Sequence, residues 1–119
     1  MVTRQDLSPG YQIVQSTHAV ADFIHSFPDI SSKWKQESNS IISLSVKNEE
    51  SLIRLTHLLQ IKNINFVGFN EPDINNQLTS ICIEPSLLSQ KVTSSLPLSL
   101  KDHNVGINKN QFKQNEIDK

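Results

Sequence analysis

The sequence predicts an α/β domain with a four-stranded mixed sheet. Three observations carry that expectation. Apolar residues recur at helical spacing in some stretches and alternate in others. The two kinds of stretch take turns along the chain, which implies a sheet with helices on both faces, an α/β/α layering. Proline, glycine and asparagine fall at the junctions. At 119 residues the chain has room for one domain with a core of its own.

Each element follows from its residues. Met1 to Thr3 reads as a short first strand. Asp6-Leu7-Ser8-Pro9-Gly10 is a loop, with Pro and Gly adjacent. Ile13, Thr17, Val20 or Ala21, and Ile24 then form the stripe of an amphipathic helix. Phe27-Pro28 ends it, because a residue before proline avoids the helical region. Asp29 is the expected N-cap of a short second helix that carries Trp34 and stops at Asn39-Ser40. Ile42, Leu44 and Val46 alternate with serines, as in a strand with one buried face. Asn48 caps the next helix, with Glu49 and Glu50 in its first turn and Leu52, Leu55 and Leu59 as its stripe; Asn63 ends it. Ile64, Phe66 and Val67 open a strand, residues 70–77 make a polar turn, and residues 79–83 form the closing strand. A short helix follows around Leu87 to Gln90. The link from the third strand to the fourth is hairpin-like, so the sheet is mixed. The expected core is Ile13, Val20, Ile24, Ile42, Leu44, Val46, Leu55, Leu59, Phe66, Ile81 and Ile83.

Residues 1–100 make the predicted domain. Residues 101–119 are polar and lack apolar periodicity, which predicts a mobile tail. Eleven Lys and Arg against twelve Asp and Glu give a net charge of −1, which argues against a generally basic nucleic-acid coat. A single cysteine, Cys82, excludes an internal disulfide framework and any CxxC metal pattern. No apolar run reaches the roughly 20 residues that span a bilayer, and the first residues lack a signal-peptide core. The expectation is a soluble cytoplasmic domain with no metal, no cofactor and no membrane partner.

The segment Leu7-Ser8-Pro9-Gly10-Tyr11-Gln12-Ile13-Val14-Gln15-Ser16-Thr17-His18-Ala19 resembles the first loop and helix of type-2 peptidyl-tRNA hydrolases, with Gly10, Gln15, His18 and Ala19 in the matching places. Ser43-Leu44-Ser45-Val46 with Glu49-Glu50-Ser51-Leu52, and Thr79-Ser80-Ile81-Cys82-Ile83-Glu84-Pro85, are similar to the family's second strand with its helix and to its closing strand. The resemblance covers residues 1 to about 86. It implies an α/β/α sandwich around a four-stranded mixed sheet, often a homodimer, that cleaves the ester between peptide and transfer RNA. Three features depart. Tyr11 stands where the family has a lysine, Ser16 stands where a Cys often follows the Gln, and residues 69–77 replace its Asp-Ala-Gly-Arg-Thr-Gln loop with a Glu-Pro-Asp sequence.

The candidate residues each carry two readings. His18 is a general base or orienting group, or a structural histidine fixing the helix to its loop. Tyr11 can donate one hydrogen bond to a developing oxyanion but offers no fixed charge; otherwise it is a loop aromatic. Glu71 and Asp73 either order a water or simply belong to a turn. Gln77 and Thr79 supply hydrogen bonds to the same cleft or close the loop. Gly10 opens a helix start that could hold a phosphate, Gln15 belongs to the resemblance, and Arg4 is a phosphate donor or the partner of Asp6. Trp34 between Lys33 and Lys35 stacks on a nucleotide or fills the core. Cys82 is a buried, inert thiol. Two functions follow: a metal-free esterase acting on peptidyl-tRNA, or a binding module of the same fold for a nucleotide, an RNA end or a protein.

Overall fold

The structure, a computed structural model, describes residues 1–101. Its elements are β1 (Val2–Arg4), α1 (Pro9–Ser26), α2 (Pro28–Glu37), β2 (Leu44–Val46), α3 (Glu49–Ile61), β3 (Phe66–Glu71), a 3-10 turn (Pro72–Ile74), β4 (Gln77–Ile83) and α4 (Leu87–Val92). This is the order that the sequence predicts, in an α/β protein with one four-stranded mixed sheet. The sheet runs β2-β1-β4-β3: β1 is parallel to β2 and antiparallel to β4, which is antiparallel to β3. The expectation of a mobile tail concerns residues that, Lys101 excepted, lie outside the described ones.

Local chemistry sets the boundaries. The Ser8 side chain accepts the Tyr11 N–H and Pro9 occupies the first turn of α1. Asn48 accepts the Ser51 N–H at the start of α3. Asn39 and Asn63 follow α2 and α3 in the left-handed region at φ 53° and 55°, where asparagine is among the tolerated residues. The predicted cap Asp29 is corrected: Phe27 is the N-cap of α2 and Pro28 its first residue, so Asp29 sits inside the first turn. Proline's fixed φ starts that helix two residues early.

The apolar core lies between α3 and the sheet. Leu52, Leu55 and Leu59 pack with Val2, Val46, Ile64, Leu78 and Ile81, all buried, and Leu44, Phe66 and Ile83 border them. Alternation puts the register partners Val2 and Ile81 on this face and Thr3 and Ser80 on the other. Gly68 keeps β3 close here: a Cβ on it would stand 2.9 Å from Leu78 Cδ1.

On the opposite face α1 overturns an expectation. Ile13 and Ile24, expected in the core, are 59% and 46% exposed. The helix instead buries Gln12, Gln15, Ser16, Ala19 and Phe23. The reason lies in the sheet. Phe69 pairs with Ser80 but Asn70 pairs with Leu78, so Thr79 is an extra residue in β4. At such a bulge two residues oppose one. Thr79 and Ser80 both bond Gln15, through its side chain and its carbonyl. A sheet face rich in hydroxyls takes a polar helix face as its complement. Ile42 is likewise not core but 52% exposed, because β2 begins only at Leu44.

Candidate functional site

Tyr11, Gln15 and His18 stand at i, i+4 and i+7, along one side of α1. Each meets a residue of the β3–β4 hairpin. The Tyr11 hydroxyl donates to Glu71 Oε1 at 3.3 Å. The Thr79 hydroxyl donates to Gln15 Oε1 at 2.6 Å. The His18 ring stacks on Phe69, with centroids 4.4 Å apart and planes 7° from parallel. The middle contact is fully buried, and His18 is exposed. The structure therefore brings His18, Tyr11, Glu71, Gln15 and Thr79 onto one seam. Asp73 is exposed in the 3-10 turn, two residues beyond Glu71.

Partial burial, then the nearby Glu71 carboxylate and Asp73, raise the Tyr11 phenol above its usual pKa. It stays protonated at neutral pH and serves as a hydrogen-bond donor. Next to it, Gly10 is exposed, and a Cβ there would meet nothing within 4 Å. Pro9 has no N–H, while those of Tyr11 and Gln12 are taken by Ser8. Among the described residues, that leaves the Gly10 N–H as the open donor of this first turn.

Arg4 ends β1 on the far side of the hairpin strand. Its Nε and Nη2 donate to the two oxygens of Asp6 at 2.9 and 2.8 Å. Its Nη1 donates to Gln77 Oε1 and to the Leu78 carbonyl. Four of the five guanidinium N–H groups are thus engaged inside the protein. Arg4 and Gln77 brace the end of the sheet, and the guanidinium does not reach out as a phosphate donor would. The Glu49 carboxylate, at the start of α3, accepts the Leu78 N–H nearby. Asp6, Glu49, Glu71 and Asp73 make this end of the molecule acidic.

The Arg4–Asp6 pair has a pH signature. The hydrogen bonds from Arg4 hold the Asp6 carboxyl below the ordinary carboxylate value, and the same pairing raises Arg4. A depressed acid contributes stability that is complete above its unfolded pKa of about 4 and is lost as pH falls through the lower folded value. The Asp6 side chain is 42% exposed, so solvent screens the effect and it is modest. Stability measured by urea unfolding should fall below about pH 4, and Asp6→Asn should flatten part of that slope. Identical slopes for the two proteins would show that the pair contributes nothing.

Other nominated residues lie elsewhere. Trp34 is half-buried and its Nε1 donates to the Ser40 carbonyl at 2.6 Å, while Lys33 and Lys35 are exposed. Cys82 is half-buried, and burial pushes its thiol pKa up, away from reactivity. Among the described residues no group of His, Cys, Asp and Glu could hold a metal ion, and no helix is long and apolar enough to cross a membrane. Phe69 and Ser80 were not nominated from the sequence. Ser80 reads there as an ordinary strand position and Phe69 as the first residue of the departing 69–77 segment, and only the strand order brings them under α1. Compared with known proteins, the chain matches no family model and no curated protein.

Proposed function

We propose that the chain is a peptidyl-tRNA hydrolase-like domain of α/β/α layering that cleaves the ester between peptide and transfer RNA. The observation that carries this reading is the Tyr11–Glu71 hydrogen bond beside the open Gly10 N–H. A phenol and a carboxylate in contact are a donor and a base. With an ester seated against this seam, Tyr11 turns its hydroxyl to the carbonyl oxygen, alongside the Gly10 N–H. Glu71, released from Tyr11, takes a proton from the attacking water. Water adds to the carbonyl carbon, the carbon–oxygen bond to the ribose breaks, and the ribose oxygen takes the proton that Glu71 removed from the water, which restores the carboxylate. The products are a peptide acid and transfer RNA with a free terminal hydroxyl. His18, held flat by Phe69, orients the substrate.

A second reading has an observation of its own. Asp6, Glu49, Glu71 and Asp73 stand near this seam, and Arg4 is already engaged. Nucleic-acid phosphates are attracted by unengaged cations. This favours a binding module without hydrolysis. The deciding assay is release of free transfer RNA from an N-blocked aminoacyl-tRNA. Glu71→Gln should lower turnover by about 10² to 10⁴, the usual loss of a general base. Tyr11→Phe should lower it by about 10² to 10³, the usual loss of an oxyanion donor. Turnover at background for the unmodified chain would leave the binding module standing. Turnover indifferent to both changes would confirm the reaction and move it to another site.

A further inference from the structure

The seam beneath α1 carries a pair of flat rings two helical turns from Tyr11. His18 lies on Phe69 with centroids 4.4 Å apart and planes 7° from parallel. His18 is exposed and Phe69 is half-buried. Phe69 thus covers one face of the imidazole, and the other face is turned to solvent. Among the described residues the imidazole has no hydrogen-bond partner and no second ring against it.

Both rings are held from beneath. Phe69 lies in β3, pairs with Ser80 of β4, and has its carbonyl 3.2 Å from the Thr79 hydroxyl. One turn before His18, α1 is pinned to the same strand. There the Gln15 carbonyl accepts the Ser80 hydroxyl and the Gln15 side chain accepts that of Thr79, both at 2.6 Å. A surface fixed in this way costs little further ordering when a ligand arrives.

We propose that the open face of His18 stacks on the adenine base of the terminal nucleoside of transfer RNA, an inference that rests on the reading of Tyr11 and Glu71 as the ester site. Histidine and phenylalanine are among the side chains on which unpaired bases stack. His18 follows Tyr11 by seven residues, about 10 Å along the helix. That is comparable to the length of a nucleoside carrying an ester on its ribose, so a carbonyl at Tyr11 brings the base to His18. The peptide half of such esters varies from one substrate to the next and the terminal adenosine does not. A fixed flat surface suits the constant half. Stacking also needs no cation, which fits a seam with Asp6, Glu49, Glu71 and Asp73 nearby.

Equilibrium dialysis with two stable ligands tests this. One is an N-acetylaminoacyl-aminodeoxyadenosine, in which an amide takes the place of the ester. The other is the same compound with hydrogen in place of the adenine. The full chain should bind the first about fivefold to a hundredfold more tightly than the second, the worth of one stacked base. His18→Leu should abolish that preference and leave the abasic ligand unchanged. His18→Phe, which keeps a flat ring and no ring nitrogen, should preserve it. In the unmodified chain the ring-proton signals of His18 should move upfield as the first ligand is added, while those of His25 and His57 stay in place. Equal affinity for the two ligands, or binding of neither, would overturn the inference, and so would a preference that survives His18→Leu. A preference lost as fully in His18→Phe as in His18→Leu would replace stacking by a hydrogen bond from the imidazole. Transfer RNA release at background with the preference intact would fail the esterase reading and keep the base subsite. Release with equal affinity for the two ligands would do the reverse.

Discussion

Leu59→Ala should lower the free energy of unfolding by about 3 kcal/mol, within the 2 to 5 kcal/mol usual for a buried leucine. Leu59 is 0% exposed and packs in the cluster that joins α3 to β1, β2 and β4. Truncation removes its transfer free energy and leaves a cavity that the sheet on one side cannot collapse to fill. The neighbouring Leu58 is the control. It is 38% exposed, on the outer side of the same helix, and its truncation should cost far less. A domain of this size has a stability of about 5 to 15 kcal/mol, so the inner change uses up a large fraction of it. Urea unfolding of the two variants reads the difference. Equal midpoints would mean that α3 does not pack as described.

That asymmetry along α3 was legible in the sequence, and the equivalent one along α1 was not. The leucine stripe of α3 points to its core because it faces apolar strand residues, and burial of apolar surface is what the periodicity records. In α1 the same rule selected Ile13 and Ile24, which face outward, and passed over Gln12, Gln15 and Ser16, which are buried. Periodicity shows which face of a helix is apolar but not which face its partner needs. Here the partner is a sheet face of hydroxyls, and the bulge at Thr79 aims two of them at Gln15. A bulge is a matter of register between two strands, invisible in either alone. The candidate site was legible to a similar degree. Tyr11, Gln15 and His18 share a helix side by spacing, and Glu71 and Thr79 flank the turn between the last strands. Their pairing required the order β2-β1-β4-β3. Arg4 shows the limit most plainly: a basic residue after a strand looks like a phosphate donor until the carbonyl of Leu78 and the side chain of Gln77 are seen to occupy it.

The buried Gln15–Thr79 hydrogen bond makes the second large effect testable, by a double-mutant cycle. Gln15→Leu removes the acceptor of a hydroxyl that is 0% exposed, and Thr79→Val removes the donor to an amide that is 1% exposed. Each single change strands a polar partner away from water, at a cost of about 1 to 3 kcal/mol. The Thr79 hydroxyl has one relief, since the Phe69 carbonyl lies 3.2 Å away and accepts it once Gln15 is gone. Gln15→Leu should therefore be the milder of the two. In Thr79→Val no such alternative serves Gln15 Oε1. The double variant places two apolar side chains of similar shape against each other, with no stranded atom between them. Its loss should be smaller than the sum of the single losses by about 1 to 2 kcal/mol. Losses that simply add would show the two side chains to be energetically independent, and would remove the polar seam as the reason α1 buries its glutamines. If instead the double variant loses more than the sum, the apolar pair does not fit the seam. The shape of that seam, rather than its hydrogen bond, would then be what positions Tyr11 and His18 on either side.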